Sequence, residues 1–191
     1  MKIKEQLDVL AAVGLTLSEG VTIDDLLISF SEKEFEDPPF DLLLTMLGSE
    51  VEAEPYGRPF STFACTVDMN GIHGDGDYTL IAERLRRLSG EDLLFKVAYD
   101  HVDVEKRAAQ LRYEALGQHV DFTPEVIDSW TDAMIVTKTL RLIKYLQSGV
   151  KDFYFKLNGT ENVFYYLSKE QGDKLIEVGR GSVELIDIPL E

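Results

Sequence analysis

The chain has 191 residues, 45% of them hydrophobic, with ten Phe, eight Tyr and one Trp, enough apolar material for one folded domain without metal or disulfide support. Its 19 basic and 35 acidic residues give a net charge of -16, a field that repels nucleic acid and anionic membranes and steers basic proteins inward. The single cysteine, Cys65, excludes an internal disulfide and a thiolate-rich zinc site, and its apolar setting in FACTV predicts a buried side chain.

At the N-terminus, Ile3, Leu7, Leu10, Ala11 and Val13 recur at near-helical spacing and Gly14 stops them, predicting a short amphipathic helix. Glu5 and Asp8 interrupt the apolar run, so no secretory signal is expected. Thr22 followed by Ile23, Asp24 and Asp25 reads as an N-cap with acids in the first turn, placing a helix over 23–30. The acidic run EKEFED leads to Pro38 and Pro39, and PPFDLLLTMLG reads as a helix with proline in its first turn and Gly48 past its end. In EVEAEPY, Glu50, Glu52 and Glu54 alternate with Val51 and Ala53, which predicts a strand with a carboxylate stripe on its wet face. FSTFACTVDM predicts a strand buried on both sides, YTLIAERLRRL an amphipathic helix ended by Ser89 and Gly90, and DLLFKVAYD another strand.

AQLRYEAL and QHVDF, with Gly117 between them, predict a hairpin, while a helix over EKRAAQLRYEAL competes with it. From Pro124, EVIDSWTDAMIVTKTLRLIKYLQSG predicts a long helix ending at Gly149, with Trp130 anchoring it on the sheet and Asp128 and Asp132 favoured by its dipole. DFYFKLNG and NVFYYLS read as strands around an Asn158–Gly159 turn, KEQGDKLIEVG as the last helix and SVELIDIP as the last strand. No apolar stretch approaches the roughly 20 residues that span a bilayer, so a soluble, cytoplasmic protein is expected. The class implied is α+β: a mostly antiparallel sheet of six or seven strands with packed helices, in a single domain over 1–191 with a helical N-terminal region, 1–47, and a sheet-containing body, 48–191.

The stretch DMNGIHGDGDY, residues 68–78, has the composition of an ion-binding loop but not the spacing. Against the calcium-loop pattern, Ile72 fails the fifth position, His73 stands where glycine is required, and Thr79 replaces the final glutamate. No GK[ST] ending makes it a phosphate loop. An Asn70–Gly71 turn, permissive backbone at Gly74 and Gly76 and an Asp77 cap account for its residues. DHVD at 100–103 offers a pairing of His101 with Asp103, yet no zinc-ligand spacing or nucleophile elbow accompanies it, and aspartates ending a strand satisfy turns. Arg84, Arg86 and Arg87 read as a solvated helix face or partners for acidic stretches. Catalytic, cofactor-binding and metal-binding residues are accordingly not expected.

The charge is uneven: residues 1–77 hold 16 acidic and 4 basic residues, and 78–191 hold 19 and 15. With GVTIDDLL, PPFDLLLTMLGSE, FACTVDMNGIHGDGDYTLIAERLRRLSGEDLLFKVAYDHVD, LGQHVDF and DSWTDAMIV, the chain resembles the small acidic immunity proteins encoded beside bacterial polymorphic or contact-dependent toxins. That resemblance implies a non-catalytic inhibitor that binds one cognate toxin and masks its active site or substrate groove. Acidic side chains suit a basic cleft, which places the expected interface on Glu50, Glu52 and Glu54, the loop acids Asp68, Asp75 and Asp77, and Asp100 and Asp103. A non-catalytic adaptor domain, or a metal-dependent hydrolase using the Asp/His loops with Asp75, Asp77 and His101, are the competing readings.

Overall fold

A computed structural model of the chain describes residues 1–90, 95–147 and 150–188. Four short helices come first: α1 (Ile3–Ala11), α2 (Ile23–Leu26), α3 (Glu32–Glu36) and α4 (Asp41–Leu47). Thr22 opens α2 as expected, with its N–H donated to the Asp25 carboxylate at 2.8 Å. That bond, ahead of the Arg58 guanidinium, holds Asp25 below its ordinary pKa. The same device starts α3 inside the acidic run EKEFED, where no helix is expected: the Ser31 N–H donates to Glu34 at 2.8 Å. α2 is shorter than 23–30, and α4 begins after Phe40 rather than at the prolines, because Phe40 sits in a left-handed conformation at φ 69°.

The remaining order is β1 (Ala64–Asp68), α5 (Asp77–Arg87), β2 (Phe95–Asp103), β3 (Ala108–Ala115), β4 (Gln118–Phe122), α6 (Ala133–Leu146), β5 (Asp152–Lys156), β6 (Glu161–Leu167), α7 (Lys169–Gly179) and β7 (Val183–Leu185). The α+β class and the N-terminal helices stand as expected, with the strands divided between two sheets. One has the order β1-β6-β5-β7 and the other β2-β3-β4, with β2–β3, β3–β4, β5–β6 and β5–β7 antiparallel. The hairpin is the correct reading of 108–122: Leu116 and Gly117, at φ 51° and 74°, form a two-residue turn that matches the twist of the flanking strands.

Three expectations are corrected. EVEAEPY is not a strand; its only ladder contact is a bridge from Glu50 to Pro59, because Pro55 and Gly57 turn the chain back within a few residues. The long helix starts at Ala133, not near Pro124. Asp132 caps it, accepting the Met134 N–H at 2.8 Å, while its other oxygen takes the Glu125 N–H and holds 125–131 as an irregular segment. Trp130 does not anchor that helix, since half of its surface is exposed. The expected helix end at Gly149 lies outside the described residues.

Internal contacts divide the chain into two units. The first, 1–66 with 151–158 and 163–186, has a core of Leu10, Leu26, Phe35, Leu43, Leu44, Phe60, Tyr165 and Leu175. Buried Gln6 ties its helices together: the amide donates to the carbonyls of Met1 and Phe35 and accepts the Phe40 N–H at 2.6 Å. A buried amide with its bonds made selects one arrangement of these helices, since every alternative leaves polar atoms dry. Lys156, also buried, reaches Asp41 and Thr45, each at 3.1 Å.

The second unit, 67–150 with 159–162 and 187–191, packs α5 and α6 on the inner face of β2-β3-β4. Tyr113 lies at its centre, 5.5 Å from Phe95 and 5.2 Å from Phe122 by ring centroid, with its hydroxyl 2.6 Å from Thr139 Oγ1. Burial holds that phenol well above its ordinary pKa. Cys65, in β1, is buried as expected, and no helix among the described residues is long and apolar enough to cross a membrane.

Candidate functional site

The loop 68–77 is built by its own carboxylates. Asp68 accepts the Asn70 N–H at 2.8 Å, making the turn read from Asn70–Gly71. Asp77 is the first residue of α5 rather than its cap, which is Gly76 at φ 95°, and its carboxylate accepts the N–H groups of His73 and Gly74 at 2.7 and 2.9 Å. Asp75 reaches across to β2, accepting the Val102 N–H at 2.6 Å and meeting His101 Nδ1 at 3.0 Å. From β2, Asp100 returns the contact, taking the N–H groups of Gly76 and Thr79 at 3.1 and 2.8 Å. It therefore fills the role of a side-chain cap for α5 from a neighbouring strand.

Burial raises the Asp100 pKa despite those bonds, and Asp75 adds to the rise. Asp103 turns the other way: its bonds to Lys106, side chain first, hold it below the ordinary value. His101 pairs with Asp75, not with Asp103. Among the described residues no three His, Cys, Asp or Glu side chains are grouped to hold a metal ion. The aspartates of this loop are occupied as acceptors for the backbone, and of Asp68, Asp75, Asp77, Asp100 and Asp103 only Asp75 is exposed.

The same loop carries the start of α6. Ile72 donates its N–H to the Ser129 carbonyl at 3.0 Å, the Ser129 hydroxyl meets Asn70, and Thr131 bonds through its N–H to Met69 and through its hydroxyl to Asp68. The segment so fixed displays three large apolar side chains, Ile127, Trp130 and Met134, each about half exposed at 51%, 50% and 46%. Sequence reasoning missed them because a lone Trp before an apolar helix reads as core. The available signal was the acid-rich setting DSWTD, whose polar residues tie the backbone down and leave the ring outside.

In the first unit, Glu52 and Glu54 are exposed on the 49–60 loop, and Glu50 is half-buried at its base. The loop is braced by Val51 N–H to the Arg58 carbonyl at 2.8 Å, Phe60 N–H to Ser49 at 3.0 Å, and an Arg58–Asp25 ion pair at 3.2 Å. At its tip Tyr56 is 73% exposed, a second aromatic that the sequence reading did not single out. Glu50, Glu52 and Glu54 belong to this unit and the five aspartates to the other. No family model matches the chain, and no curated protein or solved structure matches it.

Proposed function

We propose that this chain is an immunity-type inhibitor: a non-catalytic protein that binds a cognate bacterial toxin through a surface pairing exposed aromatic and aliphatic side chains with carboxylates. The observation supporting it is Trp130, half exposed with Ile127 and Met134 on a segment hydrogen-bonded to the acidic loop. An exposed Trp on a fixed backbone loses little entropy on binding and is the residue type that most often dominates interface energies. A net charge of -16 speeds encounter with a basic partner. The loop aspartates, being bonded to backbone, serve chiefly to hold that surface in shape.

The test is co-expression with the product of the neighbouring gene. Growth arrest by that product should be relieved by this chain, and the purified pair should form a stoichiometric complex. Trp130→Ala should weaken that complex by about 2 kcal/mol, roughly thirtyfold. Absence of both complex and protection would overturn the reading, and a complex indifferent to Trp130 would move the interface elsewhere.

A further inference from the structure

β4 ends the order β2-β3-β4, and among the described residues no strand pairs with its outer edge. Gln118, His119, Val120 and Asp121 are all exposed. The two-residue turn makes Ala115↔Gln118 a bonded pair, so Gln118, Val120 and Phe122 bond back to β3, while the backbone N–H and C=O of His119 and Asp121 point away from the sheet. Such an edge is a template for another strand, and edges that avoid pairing carry charged side chains, above all Lys, or Pro or a bulge. β4 has no Lys, Pro or bulge, and its one charged residue, Asp121, has a complement two positions away in His119.

We propose that β4 pairs antiparallel with β4 of a second copy of this chain, across a twofold axis at Val120, giving one continuous six-stranded sheet. The outward backbone groups allow three twofold registers, centred on His119, Val120 or Asp121. The first sets His119 against itself and the last Asp121 against itself. Only the central register sets His119 opposite the partner's Asp121, twice, with Val120 facing Val120 of the partner subunit. A histidine donates to a carboxylate whether charged or neutral.

The side chains beyond the edge extend this match. On the same face of the sheet, Lys96 pairs with Glu114 at 3.0 Å, Glu114 stands opposite His119, and Arg112 holds Asp121 through two nitrogens at 2.5 and 3.1 Å. In the paired sheet the row Lys96, Glu114, His119, the partner's Asp121, the partner's Arg112 alternates basic and acidic across the junction. Opposite charges in cross-strand positions stabilise a sheet, and like charges do the reverse. The inference rests on β4 and its neighbours alone, not on the toxin reading.

Sedimentation of the full chain at neutral pH tests it, with about 0.15 M salt to shorten the range of whole-chain repulsion to roughly 8 Å. The average mass should rise with concentration toward twice that of the monomer. His119→Glu sets two acids opposite one another, and Asp121→Lys sets lysine opposite histidine, so each should weaken self-association about tenfold. Mixing these two variants places Glu opposite Lys and His opposite Asp, and association should return. Asp121→Pro removes an outward N–H without touching a bond to β3, and should also leave a monomer. Wild-type protein that stays monomeric at all concentrations, dimers that survive the variants, or folded variants that do not associate when mixed would each overturn the proposal.

Discussion

Asp100 accepts two N–H groups from the first turn of α5 with one oxygen, while its other oxygen is buried without a hydrogen-bond partner. The bonds favour the ionised form and burial opposes it, and burial wins, since the pKa rises from its ordinary 3.8. The protonated carboxyl therefore stabilises the fold below pH 3.8, and this contribution is lost as pH rises through the higher native value. Asp100→Asn keeps an acceptor oxygen and removes the desolvated charge. Urea unfolding at neutral pH should show it unchanged or up to about 1 kcal/mol more stable, with a flatter loss of stability as pH rises above the ordinary carboxylate range. Asp100→Ala, which leaves both N–H groups unpaired, should cost about 1–2 kcal/mol. A steeper pH dependence in the Asn variant would mean that the amide bonds, not burial, govern this group. Of the two aspartates of DHVD, expected to satisfy turns, Asp103 does so by accepting the Lys106 N–H, whereas Asp100 caps α5 across 24 and 21 residues; that contact, like the pairing of Asp75 with His101 and Val102 across 26 and 27 residues, is encoded by no local pattern.

Among the elements, those with a strong local signal were legible. The Thr22 cap, the apolar period of α1 and the apolar, aromatic-rich runs of β5 and β6 each show in a window of a few residues, although those two strands are buried almost throughout and do not alternate. EVEAEPY misled because alternation records which side chains are wet, and Val51 buried beside exposed Glu52 satisfies that pattern in a loop as well as in a strand. Contacts between elements were hidden altogether. At Gly172 in α7, an added Cβ would lie 1.9 Å from Tyr154 Cζ, so glycine there sets how closely the helix lies on β5. Gly172→Ala should push the helix off the ring and cost about 3 kcal/mol, read as a lowered urea midpoint. Adding Tyr154→Leu opens the space, so the double variant should be more stable than the sum of the single losses implies. Strict additivity would show that the close approach is not the cause.

Over the whole molecule, residues 1–66 carry 13 acidic and 4 basic residues, and Glu52 and Glu54 stand exposed among them. Such a charge repels itself in the folded chain, so the residues that would favour encounter with the proposed basic partner lower stability. Ionic strength separates the two effects, because the Debye length falls from roughly 30 Å at 0.01 M salt to about 8 Å at 0.15 M. Raising salt over that range should raise the Tm by a few degrees, the size expected for about 1 kcal/mol in a chain of this length. Replacing Glu52 and Glu54 by Lys moves the net charge from -16 to -12 and should raise the Tm at low salt, the difference shrinking as salt is added. The same pair of changes should slow association with the proposed basic partner about tenfold at low salt and less at high salt. A Tm that falls with salt would instead show that attractive pairs such as Lys4–Asp8 and Lys169–Asp173 outweigh the repulsion. The acidity would then be a source of stability in its own right.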